Sequence, residues 1–177
     1  LFTSLLSEEE RGQTSSVQRG GKKPEFFEVV ADDKDAERGE YLQTMKSLIE
    51  QAQAFDGLTA IVCTEKSRVR WLAKQLEGSA ADSAAGGGAV AGDGADAGGV
   101  KVLTSHDSLP AKGVVLLDLA LAKGLEFDQV IVADAQEEVY KADGISRRRL
   151  YTALSRAMHH VIVVSQGKMT PLLSKLL

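Results

Sequence analysis

Short, continuous apolar runs alternate along this chain with segments of helical periodicity, and this alternation limits the folds that are open to it. Three of the runs are TAIVCT at 59–64, GVVLL at 113–117 and VIVVS at 161–165. Because their apolar residues are continuous, these runs predict strands that are covered on both faces. Strands that alternate with helices predict a largely parallel, doubly wound α/β sheet.

The same two patterns assign an order of elements to the chain. Helical periodicity, with apolar residues three or four positions apart, is clearest at 36–54, 65–76 and 146–158. A short helix can close the chain over 171–177. The predicted strands are 26–31, 59–64, 100–104, 113–117, 129–133 and 161–165.

Residues 78–99 fit neither pattern. Eight of these 22 residues are glycine, eight are alanine, and Val90 is the one large apolar residue. Such a stretch cannot bury enough apolar surface to offset the entropy that is lost on ordering. It is therefore predicted to be a flexible surface insertion between two structured parts of the chain.

Composition argues against several classes of function. The formal net charge of −4 argues against a module that binds nucleic acid through bulk positive charge, although a local basic groove stays possible. A single cysteine, Cys63, excludes an intramolecular disulfide and a multi-cysteine metal site. No apolar run approaches the roughly 18 residues of a spanning helix, and no signal peptide opens the chain. A soluble, cytoplasmic protein without a membrane partner is therefore expected.

The segment after the strand at 113–117 has the composition of a ligand-binding loop. In open α/β sheets, ligands bind beyond the carboxyl ends of the strands, which is where this loop begins. Gly124 allows the backbone to approach a ligand closely, and Lys123 and Glu126 place a cation and a hydrogen-bond acceptor beside it. An ordinary surface turn with an exposed lysine and glutamate is the alternative.

The helix predicted over 146–158 carries a cluster of arginines. Arg149, Thr152 and Arg156 are three and four positions apart, so they are expected to share the face opposite the apolar stripe. Small neighbours on both sides of Arg156 would let a partner come close, and the planar guanidinium suits a phosphate group. A solvated helix face without a ligand is the alternative.

Together, the two segments resemble known helicase motifs. The sequence AKGLEFDQVIV at 122–132 resembles motif V of superfamily 1 helicases of the UvrD/Rep type, and LYTALSRAM at 150–158 resembles their motif VI. Residues 60–76 are similar to the strand and helix between motifs IV and V of that family. The resemblance covers most of 26–177. It implies a three-layer RecA-like domain, of the P-loop NTPase type, that is the second of two motor domains.

The resemblance also implies parts that lie outside this chain. No G-x-x-x-x-G-K-[ST] sequence occurs, so the Walker A motif and the magnesium ligands are expected on a first motor domain of the same protein. The chain begins with Leu1 instead of methionine, which suggests an excised fragment. Residues 1–25 are then a helix end and linker from the preceding domain. ATP with Mg²⁺ is the implied cofactor, and the fragment alone is expected to be inactive.

Roles for single residues follow from the resemblance, position by position. Arg156 matches the motif VI arginine that reaches the γ-phosphate of ATP, where an arginine finger stabilises the charge that develops during phosphoryl transfer. Glu126 matches the motif V glutamate that contacts the ribose of the nucleotide. Gly124 matches the motif V glycine near the phosphates, and Lys123 is placed beside it as a further nucleotide contact.

Two positions depart from the pattern of the family. Asp118 and Ala120 stand where UvrD-type helicases usually carry the threonine and histidine that touch the DNA strand. An aspartate that faces a phosphate backbone would repel it. With LAKGLEFD at 121–128 and SQGKMTPLL at 165–173, the chain looks more like the HelD branch, which is related to helicase IV. Members of that branch are ATP-driven factors that bind and recycle RNA polymerase.

The resemblance therefore implies an ATPase motor domain with a HelD-like role. Its implied partners are the first motor domain, RNA polymerase and DNA. A conventional 3′-to-5′ DNA helicase and a non-catalytic RecA-like docking module are the alternatives. Strong stimulation of ATP turnover by single-stranded DNA, without polymerase binding, would favour the helicase. Turnover that survives the loss of Arg156 would favour the docking module.

Overall fold

Seven strands form one sheet in the part of the chain that the computed structural model describes, which is residue 5 and residues 22–80, 96–97 and 99–174. The strands are β1 (Glu25–Val29), β2 (Leu58–Cys63), β3 (Asp96–Ala97), β4 (Val100–Val102), β5 (Gly113–Asp118), β6 (Phe127–Val132) and β7 (Ala157–Gln166). Their order across the sheet is β1-β7-β6-β2-β5-β4-β3, and all neighbours are parallel except β3 and β4. The predicted, mainly parallel sheet is confirmed.

Four α-helices and a 3₁₀ turn near the end of the chain accompany this sheet within the same described ranges. They are α1 (Lys34–Gln53), α2 (Lys66–Ala80), α3 (Leu119–Ala122), α4 (Gly144–Leu154) and the turn Pro171–Leu173. Asp33, Asp118 and Asp143 begin three of the helices, and each carboxylate accepts a backbone N–H three residues further on. None of the described helices is long and apolar enough to cross a membrane.

Alternate residues of the central strands enter two separate cores. In β2, Ala60 and Val62 pack with α3 and α4 on one face, whereas Ile61 and Cys63 pack with α1 and α2 on the other. All six residues of this strand are buried. The prediction of strands that are covered on both faces is therefore confirmed, and the molecule has three layers.

The helix predicted over 146–158 ends four residues early, at Leu154. Ser155 is its C-cap, and the carbonyl of Arg156 accepts the N–H of Phe127 at 2.9 Å. Ala157 then pairs with Phe127 as the first residue of β7. Pairing with β6 thus takes the chain out of the helix, and β7 begins four residues before the predicted strand at 161–165.

This early end changes the expected arrangement of the arginines. Arg149 and Thr152 lie on α4, but Arg156 lies beyond it and does not share their helical face. The predicted common face is therefore wrong. Arg156 still contacts that helix, because its Nε donates to the Thr152 carbonyl at 3.2 Å.

Other boundaries differ less. The loop predicted after β5 contains α3, which the carboxylate of Asp118 caps. Helix α2 and strand β3 occupy the two ends of the predicted insertion at 78–99, while 81–95 and residue 98 lie outside the described residues. The predicted closing helix is a 3₁₀ turn at Pro171–Leu173, and 175–177 are again outside.

The proposed linker over 1–25 stays a prediction. Leu5 is the one described residue before Lys22, and it is buried in the core that contains α3 and α4. Strand β1 begins at Glu25, one residue before the predicted strand.

Candidate functional site

Two cavities lie at the edge of the sheet where β2, β5 and β6 have their carboxyl ends. The first, which we call the basic cavity, has a volume of about 340 Å³. It is lined by Thr64, Leu119, Ala120, Lys123, Ile145, Arg148, Arg149 and Thr152. Three of these side chains are cations and none is an acid, so the basic cavity favours an anionic group.

The second, which we call the mixed cavity, has a volume of about 330 Å³. It is lined by Thr64, Glu65, Ser67, Arg68, Asp134, Gln136, Glu138, Val139 and Arg149. Acidic, basic and neutral polar groups therefore face one another here. Thr64 and Arg149 line both cavities, so the two adjoin.

Asp134 is the most deeply placed polar residue of the mixed cavity, with 1% of its surface exposed. Its Oδ2 accepts the backbone N–H of Thr64 at 2.7 Å, which ties the end of β6 to the end of β2. Burial raises the pKa of this carboxyl to about 6, although the Thr64 hydrogen bonds and the charges of Arg68 and Arg149 act in the opposite direction. Its Oδ1 has no hydrogen-bond partner among the described residues.

Arg68 enters the mixed cavity from the first turn of α2. Its Nη2 donates to Gln166 Oε1 at 2.6 Å, and its guanidinium carbon lies 4.0 Å from the ring centroid of Trp71. The hydrogen bond and the cation–π contact fix the position of the side chain. The Nε atom is buried without a hydrogen-bond partner in the part of the chain that is described.

Arg156 is half-buried at the junction of α4 and β7. Its guanidinium donates to the Thr152 carbonyl at 3.2 Å, the Leu125 carbonyl at 3.4 Å and the Ser155 hydroxyl at 3.2 Å. Over the described ranges, no ion pair joins it to a carboxylate. Two carbonyls and a hydroxyl thus hold the guanidinium in place, and no ion pair among the described residues neutralises its charge.

The Leu125 contact brings the loop of Gly124 next to Arg156, so the two sequence segments singled out above meet in space. Gly124 has φ +93°, and a Cβ atom there would meet nothing within 4 Å, which leaves open space at this point of the loop. Lys123 and Glu126 are exposed. Lys123 lines the basic cavity, so the structure groups it with Ala120. Nucleotide contacts by these residues stay predictions.

Asp118 is 7% exposed, and its Oδ1 accepts the N–H of Leu121 at 2.9 Å. The carboxylate is therefore engaged by the first turn of α3. Ala120, in contrast, is exposed and lines the basic cavity. The repulsion predicted between Asp118 and a phosphate backbone gains no support from this geometry, and a nucleic-acid role for the two positions stays a prediction.

The segment from β5 to β7, which carries the Gly124 loop and Arg156, has known relatives. Residues 113–164 match the family model of the UvrD-like helicase C-terminal domain. This match includes both segments that meet at Leu125 and Arg156. No curated protein gives a significant match to the chain.

The fold also has a counterpart among solved structures. The crystal structure of the C-terminal domain of a possible DNA helicase from Lactobacillus plantarum WCFS1 is 27% identical to this chain, with a TM-score of 0.67. The similarity covers 91% of this chain and 84% of that one. Both comparisons support a helicase-like motor domain, and the match of residues 113–164 is to the UvrD-like type. Neither distinguishes the HelD branch.

The sequence does not single out several residues that line the two cavities, among them Thr64, Arg68 and Asp134. Thr64 and Asp134 follow buried strands directly or after one residue, and polar residues at such positions are a usable signal for a site at the carboxyl edge of a sheet. Arg149 is predicted from the sequence to share a helical face with Thr152 and Arg156, which assigns it no place in a cavity. Its place between the cavities depends on the packing of α4 against the sheet, which the sequence does not display.

Proposed function

We propose that this chain is the second motor domain of an ATP-dependent, superfamily 1 helicase-like ATPase. One observation carries the proposal. The guanidinium of Arg156 is bonded to two carbonyls and a hydroxyl, has no carboxylate partner in the described ranges, and lies against the loop of Gly124. A charge held in this way is available to a phosphate group on a neighbouring domain.

The residues around this guanidinium fit ATP. Gly124 leaves room for a phosphate to approach the backbone, and Glu126, in the same loop, offers an acceptor for a ribose hydroxyl. Lys123 lines the basic cavity instead. When bound, ATP with Mg²⁺ supplies the phosphoanhydride bond whose cleavage drives the motor. The role proposed for Arg156 is to stabilise charge on the γ-phosphate, while the Mg²⁺ ligands belong to the first motor domain.

The basic cavity suits the other substrate of such a motor, a nucleic-acid strand. Lys123, Arg148 and Arg149 line it without an acid among its lining residues, and helix α4 holds two of the three. Phosphate contacts by lysine and arginine position a strand without reading its sequence. Asp118 is not among the residues that line this cavity, and one oxygen of its carboxylate caps α3.

The replacement Arg156→Ala in the full-length protein tests the ATPase proposal. Loss of an arginine finger is expected to lower the rate of ATP turnover by about 10³-fold or more, because charge that develops in the transition state then lacks its stabilising partner. Arg147→Ala is the matched control, since it removes another half-buried arginine from the same region. Turnover that is unchanged in Arg156→Ala would overturn the proposal and favour a non-catalytic docking module.

The finer form of this proposal is a HelD-like factor that recycles RNA polymerase. It depends on the sequence at 121–128 and 165–173, whereas the basic cavity supports a conventional 3′-to-5′ DNA helicase as the alternative. RNA polymerase capture by the full-length protein, measured beside ATP turnover with and without single-stranded DNA, separates the two. Strong stimulation by DNA with no polymerase capture would reject the HelD-like role.

A further inference from the structure

Buried polar atoms without partners are concentrated in the mixed cavity. Seven buried side-chain atoms of the described residues make no hydrogen bond. Glu25 Oε1 and His160 Nε2 pair with each other at 3.2 Å, and four of the other five belong to residues that line this cavity. The four are Arg68 Nε, Asp134 Oδ1, Gln136 Oε1 and Thr64 Oγ1, and the last of these is close enough to Asp134 to lower the pKa of its carboxyl. Because a buried polar group without a partner lowers stability, four in one place call for an explanation.

Two of the four side chains are more than nine-tenths buried. Asp134 is 1% exposed and Thr64 is 7% exposed, and the backbone N–H of Thr64 donates to Asp134 Oδ2. The free Oδ1 of Asp134 therefore has a fixed position, because its sister oxygen is held. Arg68 is fixed in turn by Gln166 and Trp71, which keeps its Nε at the wall of the same cavity. These contacts hold the Asp134 and Arg68 side chains in place at the wall of the cavity.

The unpartnered atoms have a definite pattern of donors and acceptors. Asp134 Oδ1 and Gln136 Oε1 accept, Arg68 Nε donates, and the Thr64 hydroxyl does either. A complementary ligand presents adjacent N–H donors together with acceptor atoms that face arginine. The Watson–Crick edge of guanine carries its N1–H and N2–H donors beside the O6 acceptor, and arginine is the usual partner of guanine O6 and N7.

We propose that the mixed cavity binds a guanine base, with Asp134 accepting from its N–H edge and Arg68 or Arg149 donating to its acceptor atoms. The cavity volume of about 330 Å³ is at the lower end of the range of small-ligand sites, which is about 300–1,000 Å³.

The phosphate attached to that base can lie in the adjoining basic cavity. Thr64 and Arg149 line both cavities, so a guanine nucleotide unit can put its base in the mixed cavity and its phosphate in the basic cavity. Such a unit belongs to a single strand or to a free guanine nucleotide. For a guanine within a single strand, this inference rests on the proposed function, because the basic cavity is the strand contact proposed there.

Fluorescence anisotropy of short, labelled oligonucleotides with the 177-residue chain tests the inference. One oligonucleotide has a single dG within a dT tract, and its partner has deoxyinosine there, which lacks the 2-amino donor. Binding of the dG oligonucleotide is expected to be about tenfold tighter, because one hydrogen bond to a charged acceptor is lost with inosine. If GMP competes with the same affinity as the oligonucleotide, the ligand of the cavity is a free nucleotide. If GMP does not compete, the ligand is a nucleic-acid strand.

Protein variants locate the effect. Asp134→Asn is expected to abolish the preference for dG over deoxyinosine. Glu50→Gln, which alters an exposed carboxylate on α1 that lines neither cavity, is expected to keep the preference. Equal binding of dG and inosine by the unaltered chain, a comparison that needs no variant, would overturn the inference. So would a preference that survives in Asp134→Asn. Loss of all-dT binding in Lys123→Ala reports separately on the strand contact of the proposed function.

Discussion

Asp134 holds a carboxyl group in a place where water does not solvate it. Burial raises its pKa from 3.8 to about 6, so the folded protein keeps this proton over a range of pH in which the unfolded chain has released it. Because the folded state then binds more protons, stability falls as the pH rises from about 4 to about 6. A strongly perturbed carboxyl in a cavity is a common mark of a functional site.

Asp134→Asn is therefore expected to stabilise the protein. The amide oxygen can still accept the N–H of Thr64, while the cost of burying a charge is removed. The shift of about two pKa units corresponds to a gain of about 3 kcal/mol in the free energy of unfolding at pH 8, and to about half of that at pH 5. Urea denaturation at the two pH values measures the difference.

The same amide exchange at Glu138 serves as the control for this prediction. Glu138 is exposed, so Glu138→Gln is expected to change stability little at either pH. If Asp134→Asn were less stable than the unaltered protein at pH 8, the buried carboxylate would be a net stabilising group, and the interpretation of its raised pKa would be wrong.

At the scale of single residues, the sequence indicates which side chains can take part in a functional site better than it indicates which residues contact each other. Gly124 and Arg156 were chosen from their local context, and the structure does bring their segments together through Leu125. Asp134 and Thr64 are 70 residues apart, and their contact depends on the pairing of β2 with β6. A contact of that kind follows from strand order, which a single sequence does not specify.

Helix α3 shows how one residue acts through the element that it begins. It has four residues, and Asp118 Oδ1 accepts the N–H of Leu121 in its only turn. Lys123, which lines the basic cavity, follows this turn directly as its C-cap. The carboxylate therefore influences the cavity through the backbone that it holds in place.

Two replacements of Asp118 separate capping from repulsion. Asparagine caps a helix about as well as aspartate, so Asp118→Asn is expected to change neither stability nor binding of an all-dT oligonucleotide. Asp118→Ala is expected to lower the free energy of unfolding by about 1 kcal/mol, measured by urea denaturation. Binding that becomes clearly tighter in Asp118→Asn would show that the charge does repel the strand.

The boundary between α4 and β7 marks the limit of periodicity as a guide to elements. Helical spacing continues in the sequence through Arg156, but the backbone leaves the helix after Leu154 to pair with β6. Local spacing records which residues can share a face. It does not record the competing strand partner, which comes from Phe127 in a different part of the chain.

At the scale of the whole molecule, the sheet was the most predictable feature. Continuous apolar runs identified six strands, because buried parallel strands need apolar residues on both faces. The structure separates these residues into two cores, with Val115 on one face of β5 and Leu116 on the other. The strand order, the short strand β3 and the two cavities depend on tertiary packing and could not be obtained from the pattern.

The isolated chain is expected to show no ATP turnover above background. The proposed function puts Arg156 and the Gly124 loop here and the Walker A motif on another domain, so the chain supplies only one side of the ATP site. Phosphate release, measured with and without single-stranded DNA, checks this expectation against the full-length protein. Turnover by the chain alone that Arg156→Ala removes would contradict it.

Arg156 is joined to the sheet through its own backbone as well as through its side chain. Its carbonyl accepts the N–H of Phe127, and its guanidinium is braced by Leu125 and Thr152. Side-chain rotation alone would break these bonds, so the guanidinium moves with the rigid body of the domain. For the proposed motor, this makes the position of one domain relative to the other the variable that sets the rate of the chemical step. Domain movement and ATP hydrolysis would then both depend on the same variable, which is the position of one motor domain relative to the other.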